Sequence, residues 1–204
     1  ISVAHDTEEG RSFLQARLAL FGRVVAIVSI SFFTLGKIAS IALLPAFGWV
    51  RNFSVSEMCH LGEVATMVVL WAVCRRGRLT TPILIGLDLA AIALISVWHA
   101  AMGIAANGEL ACNVSLPAGK VILPNTLPIL LATISVVLAR AVIVPSSARR
   151  TSLVTLASGV PMVLATWYIH ARWGLRELPF IGLLHTAYVG LWSLSTAAIA
   201  AIAS

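Results

Sequence analysis

Long apolar runs recur along this chain, and they constrain its fold more than any other feature. A helix needs about 20 mainly apolar residues to cross a bilayer. On that length the runs predict six membrane spans, near residues 22–44, 57–75, 82–104, 124–146, 151–171 and 180–203. Hydrophobic residues make up 59% of the chain and charged residues 11%, too few charges to cover a soluble surface. The sequence therefore predicts an all-α, polytopic membrane helix bundle.

The first 21 residues are polar and then amphipathic. Asp6 and Glu9 have the spacing of a capping box, in which each side chain binds a free backbone N–H. The residues that follow form an apolar face and a basic face: Phe13, Leu14, Leu18 and Phe21 against Arg11 and Arg17. We therefore expect residues 1–21 to be a cytoplasmic juxtamembrane segment, with a short amphipathic helix on the membrane surface. Residues 22–204 form the predicted transmembrane domain.

Basic residues between the apolar runs predict the orientation of the bundle. One side carries eight of them: Arg11, Arg17, Arg23, Arg75, Arg76, Arg78, Arg149 and Arg150. The other side carries four: Arg51, Lys120, Arg172 and Arg176. The positive-inside rule places the richer side, and with it both termini, in the cytoplasm. Such short clusters do not form the continuous basic surface that nucleic-acid binding needs, so the expected partner is the lipid bilayer and not nucleic acid.

Four charged side chains fall inside the predicted spans: Lys37, Glu63, Asp88 and Arg140. A charge at mid-membrane costs about 2.5–3.5 kcal/mol on insertion scales, so each one needs a partner. Depth along antiparallel helices, at about 1.5 Å per residue, predicts a Lys37–Glu63 ion pair. The same reasoning predicts contact between Asp88 and Arg140. Such pairs either fix the register of the helices or form a proton- or ligand-responsive switch.

Four of the five histidines share a depth on the outer side of the predicted bundle: His60, His99, His170 and His185. Imidazoles from several helices at one level are able to bind heme or a transition metal. However, no two of them lie on one helix with ligand spacing. The favoured interpretation is therefore ordinary interfacial histidines, with no cofactor in this chain.

Cysteines and small residues suggest two further features. Cys59 and Cys112 both fall on the outer side. They either form a disulfide between the outer loops or remain two free thiols. In span six, Gly182, Thr186 and Gly190 recur every four residues, a spacing that lets two helix backbones approach closely. This face is predicted either to pack inside the bundle or to form a homodimer.

Three stretches of sequence carry a resemblance to a known family. They are 8–15 (EEGRSFLQ) with 17–22 (RLALFG), then 74–79 (CRRGRL), and 140–151 (RAVIVPSSARRT). Together they resemble the N-terminal membrane region of serine/threonine protein kinases from myxobacteria and related bacteria. In that family a six-span region precedes a cytoplasmic kinase domain. The resemblance therefore implies a membrane anchor and signal-input region in the bacterial inner membrane, with a cytoplasmic effector domain after Ser204.

No signature of the kinase itself is present in these 204 residues. The sequence lacks a Gly-rich loop of the G-x-G-x-x-G type, a His-Arg-Asp motif and an Asp-Phe-Gly motif. The resemblance therefore implies no catalytic residue here, and it places ATP and Mg in the following domain. Three alternatives stay open: an anchor for another effector such as a nucleotide cyclase, a small transporter or channel, and a b-type heme membrane protein.

Overall fold

A computed structural model describes residues 7–43, 53–113, 119–144, 146–173 and 179–203, without the side chains of residues 43, 110–113, 119–125, 179 and 203. These residues contain no strand and form six α-helices: α1 Glu8–Leu43, α2 Val55–Arg75, α3 Thr81–Asn113, α4 Gly119–Ile143, α5 Ala148–Trp173 and α6 Pro179–Ala203. Each helix contains a stretch long and apolar enough to cross a membrane. The predicted all-α, multi-pass membrane bundle is confirmed.

The first helix is continuous from the amphipathic segment through the first span. Three residues of its apolar face are buried inside the bundle, namely Leu14, Leu18 and Phe21, whereas Phe13 is 51% exposed. The amphipathic residues thus form the opening turns of α1 itself, and the three buried ones pack against neighbouring helices. Asp6, half of the predicted capping box, lies outside the described residues. The hydroxyl of Thr7 accepts a hydrogen bond from the Gly10 N–H, at 3.1 Å, and caps the helix.

The second helix begins at a capping box that the sequence analysis did not assign. The Ser54 hydroxyl accepts from the Glu57 N–H at 3.1 Å, and the Glu57 carboxylate accepts from the Ser54 N–H at 3.0 Å. The helix ends at Arg75, and Gly77 turns the chain toward α3 with a φ of 79°. That left-handed conformation favours glycine because a side chain there would be strained.

The helices alternate in direction, so α1, α3 and α5 begin at the end of the bundle where α2, α4 and α6 finish. We call it the basic end, since Arg75, Arg76, Arg78, Arg149 and Arg150 lie there. The α3 helix has a central place and packs against α1, α2, α4 and α5, while α6 packs against α4 and α5. Adjacent helices that run antiparallel bring residues far apart in sequence to one depth.

Two apolar clusters fill the interior at different depths. The larger lies toward the basic end and joins α1 to α5, with Phe21, Met67 and Ile95 among its members. The smaller lies toward the opposite end and includes Ala100 and Met162. Large apolar side chains also cover the outside of the bundle. Ile202, for example, is 87% exposed, which is typical of a surface that faces lipid.

Candidate functional site

A buried ion pair joins α3 to α4 near the basic end. Arg140 has no exposed surface, and its guanidinium binds Asp88 through two parallel hydrogen bonds. The Nε–Oδ1 distance is 3.0 Å and the Nη2–Oδ2 distance is 2.6 Å. Such fork-to-fork geometry satisfies both carboxylate oxygens and restricts the orientation of both side chains. The predicted contact between Asp88 and Arg140 is confirmed.

A second arginine, which the sequence analysis did not connect to this pair, also reaches Asp88. Arg150, in the first turn of α5, donates from Nη2 to Oδ2 of Asp88 at 2.8 Å. The turn between α4 and α5 is short, so it returns the chain directly beside the carboxylate. Arg140 also donates to the Ser146 hydroxyl in that turn, at 3.4 Å. The buried carboxylate of Asp88 therefore binds two arginines, and these contacts join α3 to α4 and to α5.

Gln15 ties α1 to the turn that follows α2. Its side-chain amide donates to the carbonyls of Cys74 and Gly77, at 2.7 and 2.8 Å. Its amide oxygen accepts from the Leu79 N–H at 3.1 Å. The last carbonyls of a helix have no partner within the helix, so Gln15 supplies one from another element. The sequence shows no hint of this role beyond the presence of Gln15 and Cys74 in two of the three stretches that carry the predicted resemblance.

Lys37 does not pair with Glu63, so that prediction is wrong. Its Nζ binds both carboxylate oxygens of Glu57, at 2.9 and 3.1 Å. Glu57 lies six residues earlier than Glu63 in α2, about 9 Å nearer the end of the helix. Depth counted from predicted span limits is not accurate enough to decide between them. The actual pair lies near the end of the bundle, with the Lys37 side chain 27% exposed.

Glu63 instead lies in the interior and pairs with His99. It is 2% exposed, and its Oε1 accepts a hydrogen bond from the Ser29 hydroxyl at 2.7 Å. Its Oε2 lies 3.2 Å from Nε2 of His99, which is also buried. The contact joins α1, α2 and α3 at mid-bundle. A usable signal for this pair is present in the sequence, because Glu63 and His99 lie at similar depth on consecutive antiparallel helices.

Hydrogen bonds continue from the Glu63–His99 pair to α4. The Thr133 hydroxyl is within hydrogen-bond distance of the Ile129 carbonyl oxygen, at 2.9 Å, and of Nδ1 of His99, at 2.8 Å. Which of Thr133 and His99 donates depends on the tautomer of the imidazole. Two bare acceptors would repel each other, so a proton lies between Nε2 of His99 and the Glu63 carboxyl group.

Polar side chains at this depth occur on every helix of the bundle. We call them the polar layer: Ser29 in α1, Glu63 in α2, His99 in α3, Thr133 in α4, Thr155 and Ser158 in α5, and Ser193 and Thr196 in α6. On α3, α4 and α5 the layer lies between residues of the larger apolar cluster and residues of the smaller one. Buried polar groups need partners, so the layer constrains the rotation of each helix.

The four histidines that were weighed as a metal or heme site form separate contacts. His60 donates from Nε2 to the Ser29 carbonyl at 2.9 Å, and His99 binds Glu63. His170 and His185 bind each other, with Nε2 and Nδ1 2.7 Å apart. Within the described part of the chain, no group of three or more histidine, cysteine, aspartate or glutamate side chains is placed to hold a metal ion.

The small-residue face and the cysteines give a mixed outcome. A Cβ added to Gly182 would lie 2.9 Å from Cβ of His170, so this glycine packs against α5 of the same chain. Gly190 has open space around it and lines a groove between α5 and α6. The Thr186 hydroxyl donates to the Gly182 carbonyl. The homodimer face stays a prediction. Cys59 is a buried free thiol, so the predicted Cys59–Cys112 disulfide is wrong, and the alternative of free thiols holds for Cys59. The side chain of Cys112 lies outside the described residues.

Comparison with known proteins identifies no relative: no family model, no curated protein and no solved structure matches this sequence. The resemblance of the three stretches to membrane regions of bacterial kinases therefore stays a prediction. The geometry contributes one relevant fact about them. Leu14, Cys74 and Val144, one from each stretch, belong to the same buried apolar cluster.

Proposed function

We propose that this chain is the membrane-anchoring and signal-input region of a larger receptor-like serine/threonine protein kinase. The catalytic domain would follow Ser204 on the cytoplasmic side of the bacterial inner membrane. The observation that carries the proposal is the contact of Gln15 with Cys74 and Gly77. It joins two of the three kinase-like stretches directly, at the basic end. Resemblance confined to residues that form one structural unit supports a shared role for that unit.

The third stretch belongs to the same end through the ion pairs of Asp88. Arg140 and Arg150 lie in it, and both bind that carboxylate. Two links therefore hold the basic end: Gln15 joins α1 to the turn after α2, and Asp88 joins α3, α4 and α5. A catalytic domain attached at this end would respond when helices shift relative to one another. The polar layer at mid-bundle is where such a shift would have to exchange hydrogen bonds.

The identity of the effector is tested on the native full-length protein. Purification from membranes, with the intact mass and peptide map measured, shows which sequence follows Ser204. We expect a kinase domain and ATP-dependent phosphorylation on serine or threonine. Formation of a cyclic nucleotide would show that the attached domain is a nucleotide cyclase and not a kinase. A native polypeptide with no effector domain would overturn the proposal, and ion or solute flux in proteoliposomes would then favour a transporter or channel.

Signal input is tested with Gln15→Leu in the full-length protein. The substitution removes three hydrogen bonds at the basic end, so we expect phosphorylation per molecule to change about fivefold or more, the lower range of typical coupling between sites. Phe32→Leu is the matched control, because Phe32 lies on the same helix and faces outward. Equal phosphorylation by Gln15→Leu, Phe32→Leu and the wild type, at equal amounts in the membrane, would show that this end only anchors.

A further inference from the structure

Two arginines lie beside the point where α1 and α2 touch, on the outside of the bundle. A Cβ added to Gly22 would lie 3.0 Å from the Trp71 nitrogen, so the two backbones meet there. Arg23 follows Gly22 in α1, and Arg75 lies one helical turn after Trp71 in α2. The guanidinium carbon of Arg75 is 5.5 Å from the centroid of the Trp71 ring. Both arginines are exposed, so they face the surroundings of the bundle near its basic end.

Arg23 lies at the edge of the α1 face that packs against α2. Ala19 and Ala26 share that face with Gly22, and they are partly and fully buried respectively. Leu20, on the other side of Arg23 along the helix surface, is exposed. Residues three and four apart are neighbours on a helix surface, so Arg23 borders both α2 and the lipid.

Trp71 and Arg75 lie on the matching edge of α2. Met67, whose carbonyl oxygen meets Gly22, is fully buried. Val68 lies seven residues before Arg75, hence on the same face of α2, and it is exposed. Trp71 is partly exposed between these two faces. Trp71 and Arg75 therefore line the lipid side of the contact between α1 and α2, as Arg23 does.

The two arginine side chains lean toward each other along the bundle. A side chain in an α-helix leans toward the N-terminus of its helix. Because α1 begins at the basic end and α2 finishes there, Arg23 leans toward that end and Arg75 leans away from it. Gln15, eight residues before Arg23, contacts the end of α2, which places the Arg23 backbone about 12 Å inside the basic end. The two guanidinium groups therefore converge near the depth of Trp71, about 6 Å from the end of α2.

No described acidic side chain is placed to neutralise these two charges. The side chains of Arg23 and Arg75 make no hydrogen bond or ion pair with any residue that the structure describes. Among the described acidic residues of the basic end, Glu8 binds another arginine and Asp88 is buried with two. Glu9 lies fourteen residues before Arg23, about 21 Å along α1. Two like charges that converge beside lipid repel each other strongly, so the arrangement favours a bound anion.

We propose that Arg23 and Arg75, with Trp71 beside them, bind the phosphate of an anionic phospholipid. We call the three residues the lipid-phosphate site. Guanidinium groups bind phosphate oxygens through paired hydrogen bonds, and tryptophan rings favour the headgroup level of a bilayer. Phospholipids supply phosphate at this depth, whereas a free phosphate ion would have to leave water. Two uncompensated positive charges favour a headgroup with net negative charge over a zwitterionic one.

The lipid-phosphate site is independent of the proposed kinase function, since it rests on the contact between α1 and α2 alone. A lipid held there would bridge the two helices beside their close approach at Gly22. These are the same helices that Gln15 joins at the basic end. Anionic lipid in the membrane would thereby stabilise the packing of α1 on α2. Counting charges along the sequence assigns these arginines to orientation only, because their pairing across two helices depends on packing.

The test measures lipid binding to the complete chain by native mass spectrometry, with phosphatidylglycerol as the anionic lipid and phosphatidylcholine as the zwitterionic one. Arg23→Gln and Arg75→Gln each remove one charge of the site, and we expect each to weaken phosphatidylglycerol binding about fivefold. Arg76→Gln is the matched control, because it removes the same charge at an exposed position next to the site. We expect it to change binding less than about twofold. Equal weakening by all three, or equal affinity of the wild type for the two lipids, would overturn the proposal.

Two further measurements on the wild type keep the test decisive if a glutamine variant fails to fold. A crystal structure grown in lipid that contains phosphatidylglycerol should show phosphate density in contact with both Arg23 and Arg75. The absence of that density, in a map that resolves both side chains, would overturn the proposal. An excess of inorganic phosphate should leave bound phosphatidylglycerol in place. Its displacement would show that the site binds free phosphate and not a lipid.

Discussion

At the scale of single residues, Glu63 shows how a titratable group is accommodated inside the bundle. It lies at mid-bundle with partners from two other helices, Ser29 and His99. Glu57, six residues away, lies near the helix end and combines a capping box with an ion pair to Lys37. The two glutamates therefore differ in how much the loss of a partner should destabilise the bundle. Removing His99 leaves the buried carboxyl group of Glu63 without its imidazole partner, whereas removing Lys37 leaves Glu57, 11% exposed at the start of α2, with its capping contact to the Ser54 N–H.

We expect His99→Leu to destabilise the bundle far more than Lys37→Leu does. Leaving a fully buried charged group without its partner typically costs about 3–5 kcal/mol. The Lys37–Glu57 pair is partly exposed, with side chains 27% and 11% accessible, so its loss should cost less. Reversible denaturation in mixed micelles, followed by circular dichroism, measures both. The double variant Glu63→Leu/His99→Leu should regain most of the lost free energy of unfolding, because neither polar group is then buried without its partner. Strictly additive effects of the two substitutions would contradict the shared-proton pair.

The two arginines that bind Asp88 should also differ in their effect on stability. Arg140 is fully buried, whereas the Arg150 side chain is 26% exposed and can exchange the carboxylate for water. We expect Arg140→Met to lower the free energy of unfolding by about 3–5 kcal/mol and Arg150→Met by less than half of that. Arg149→Met is the control, since Arg149 is exposed, and it should stay within about 0.5 kcal/mol. Equal losses for Arg140 and Arg150 would refute this ranking.

At the scale of helices, the spans were predictable because hydropathy reports lipid contact directly. Contacts between helices were predicted less well. Depth counted along the sequence was accurate enough for Asp88 and Arg140 across the α3–α4 connection, but it missed the contact of Arg150 with the same carboxylate. The α1–α2 connection is longer than the α4–α5 turn. Across it Lys37 binds Glu57 and not the predicted Glu63. Register across it depends on packing, which a single sequence does not display.

The continuity of α1 has such a packing cause. A Cβ added to Gly22 would lie 2.9 Å from the Met67 carbonyl oxygen and 3.0 Å from the Trp71 nitrogen. The α1 and α2 backbones therefore approach closely where the sequence suggested that a surface helix ends and a span begins. The neighbouring apolar residue Phe21 is buried by the same approach. Residue 22, where the first span is predicted to begin, thus lies at a contact between two helices.

Two glycines of α1 should respond with opposite signs to substitution by alanine. Alanine is favoured over glycine in a helix by about 1 kcal/mol. At Gly36, with nothing within 4 Å of an added Cβ, that gain should appear as higher stability. At Gly22 the added methyl would meet backbone atoms that cannot move aside cheaply, and overpacking of about 1–3 kcal/mol should exceed the gain. Denaturation in micelles measures both variants, and a stabilising Gly22→Ala would exclude the close α1–α2 approach.

At the scale of the whole molecule, the bundle has a polar interior layer between two apolar clusters. Its charged part could be partly foreseen, since intramembrane charges stand out in any sequence. Its hydroxyl part could not, because Thr133 or Ser193 in a span looks like many small residues that only pack. Which hydroxyls share one depth and face one another depends on the rotation of six helices. The candidate site is therefore a property of the assembled bundle more than of any single motif.

Orientation in the membrane is the property of the whole molecule that can be tested most directly. The positive-inside rule places the basic end in the cytoplasm. Arg78 lies at that end and Phe53 at the other, and both side chains are exposed. In a background with the three cysteines replaced by serine, Phe53→Cys should react with a membrane-impermeant maleimide in intact spheroplasts. Arg78→Cys should react only after permeabilisation. The reverse labelling pattern would show the opposite orientation, with the basic end and any domain joined to it outside the cytoplasm.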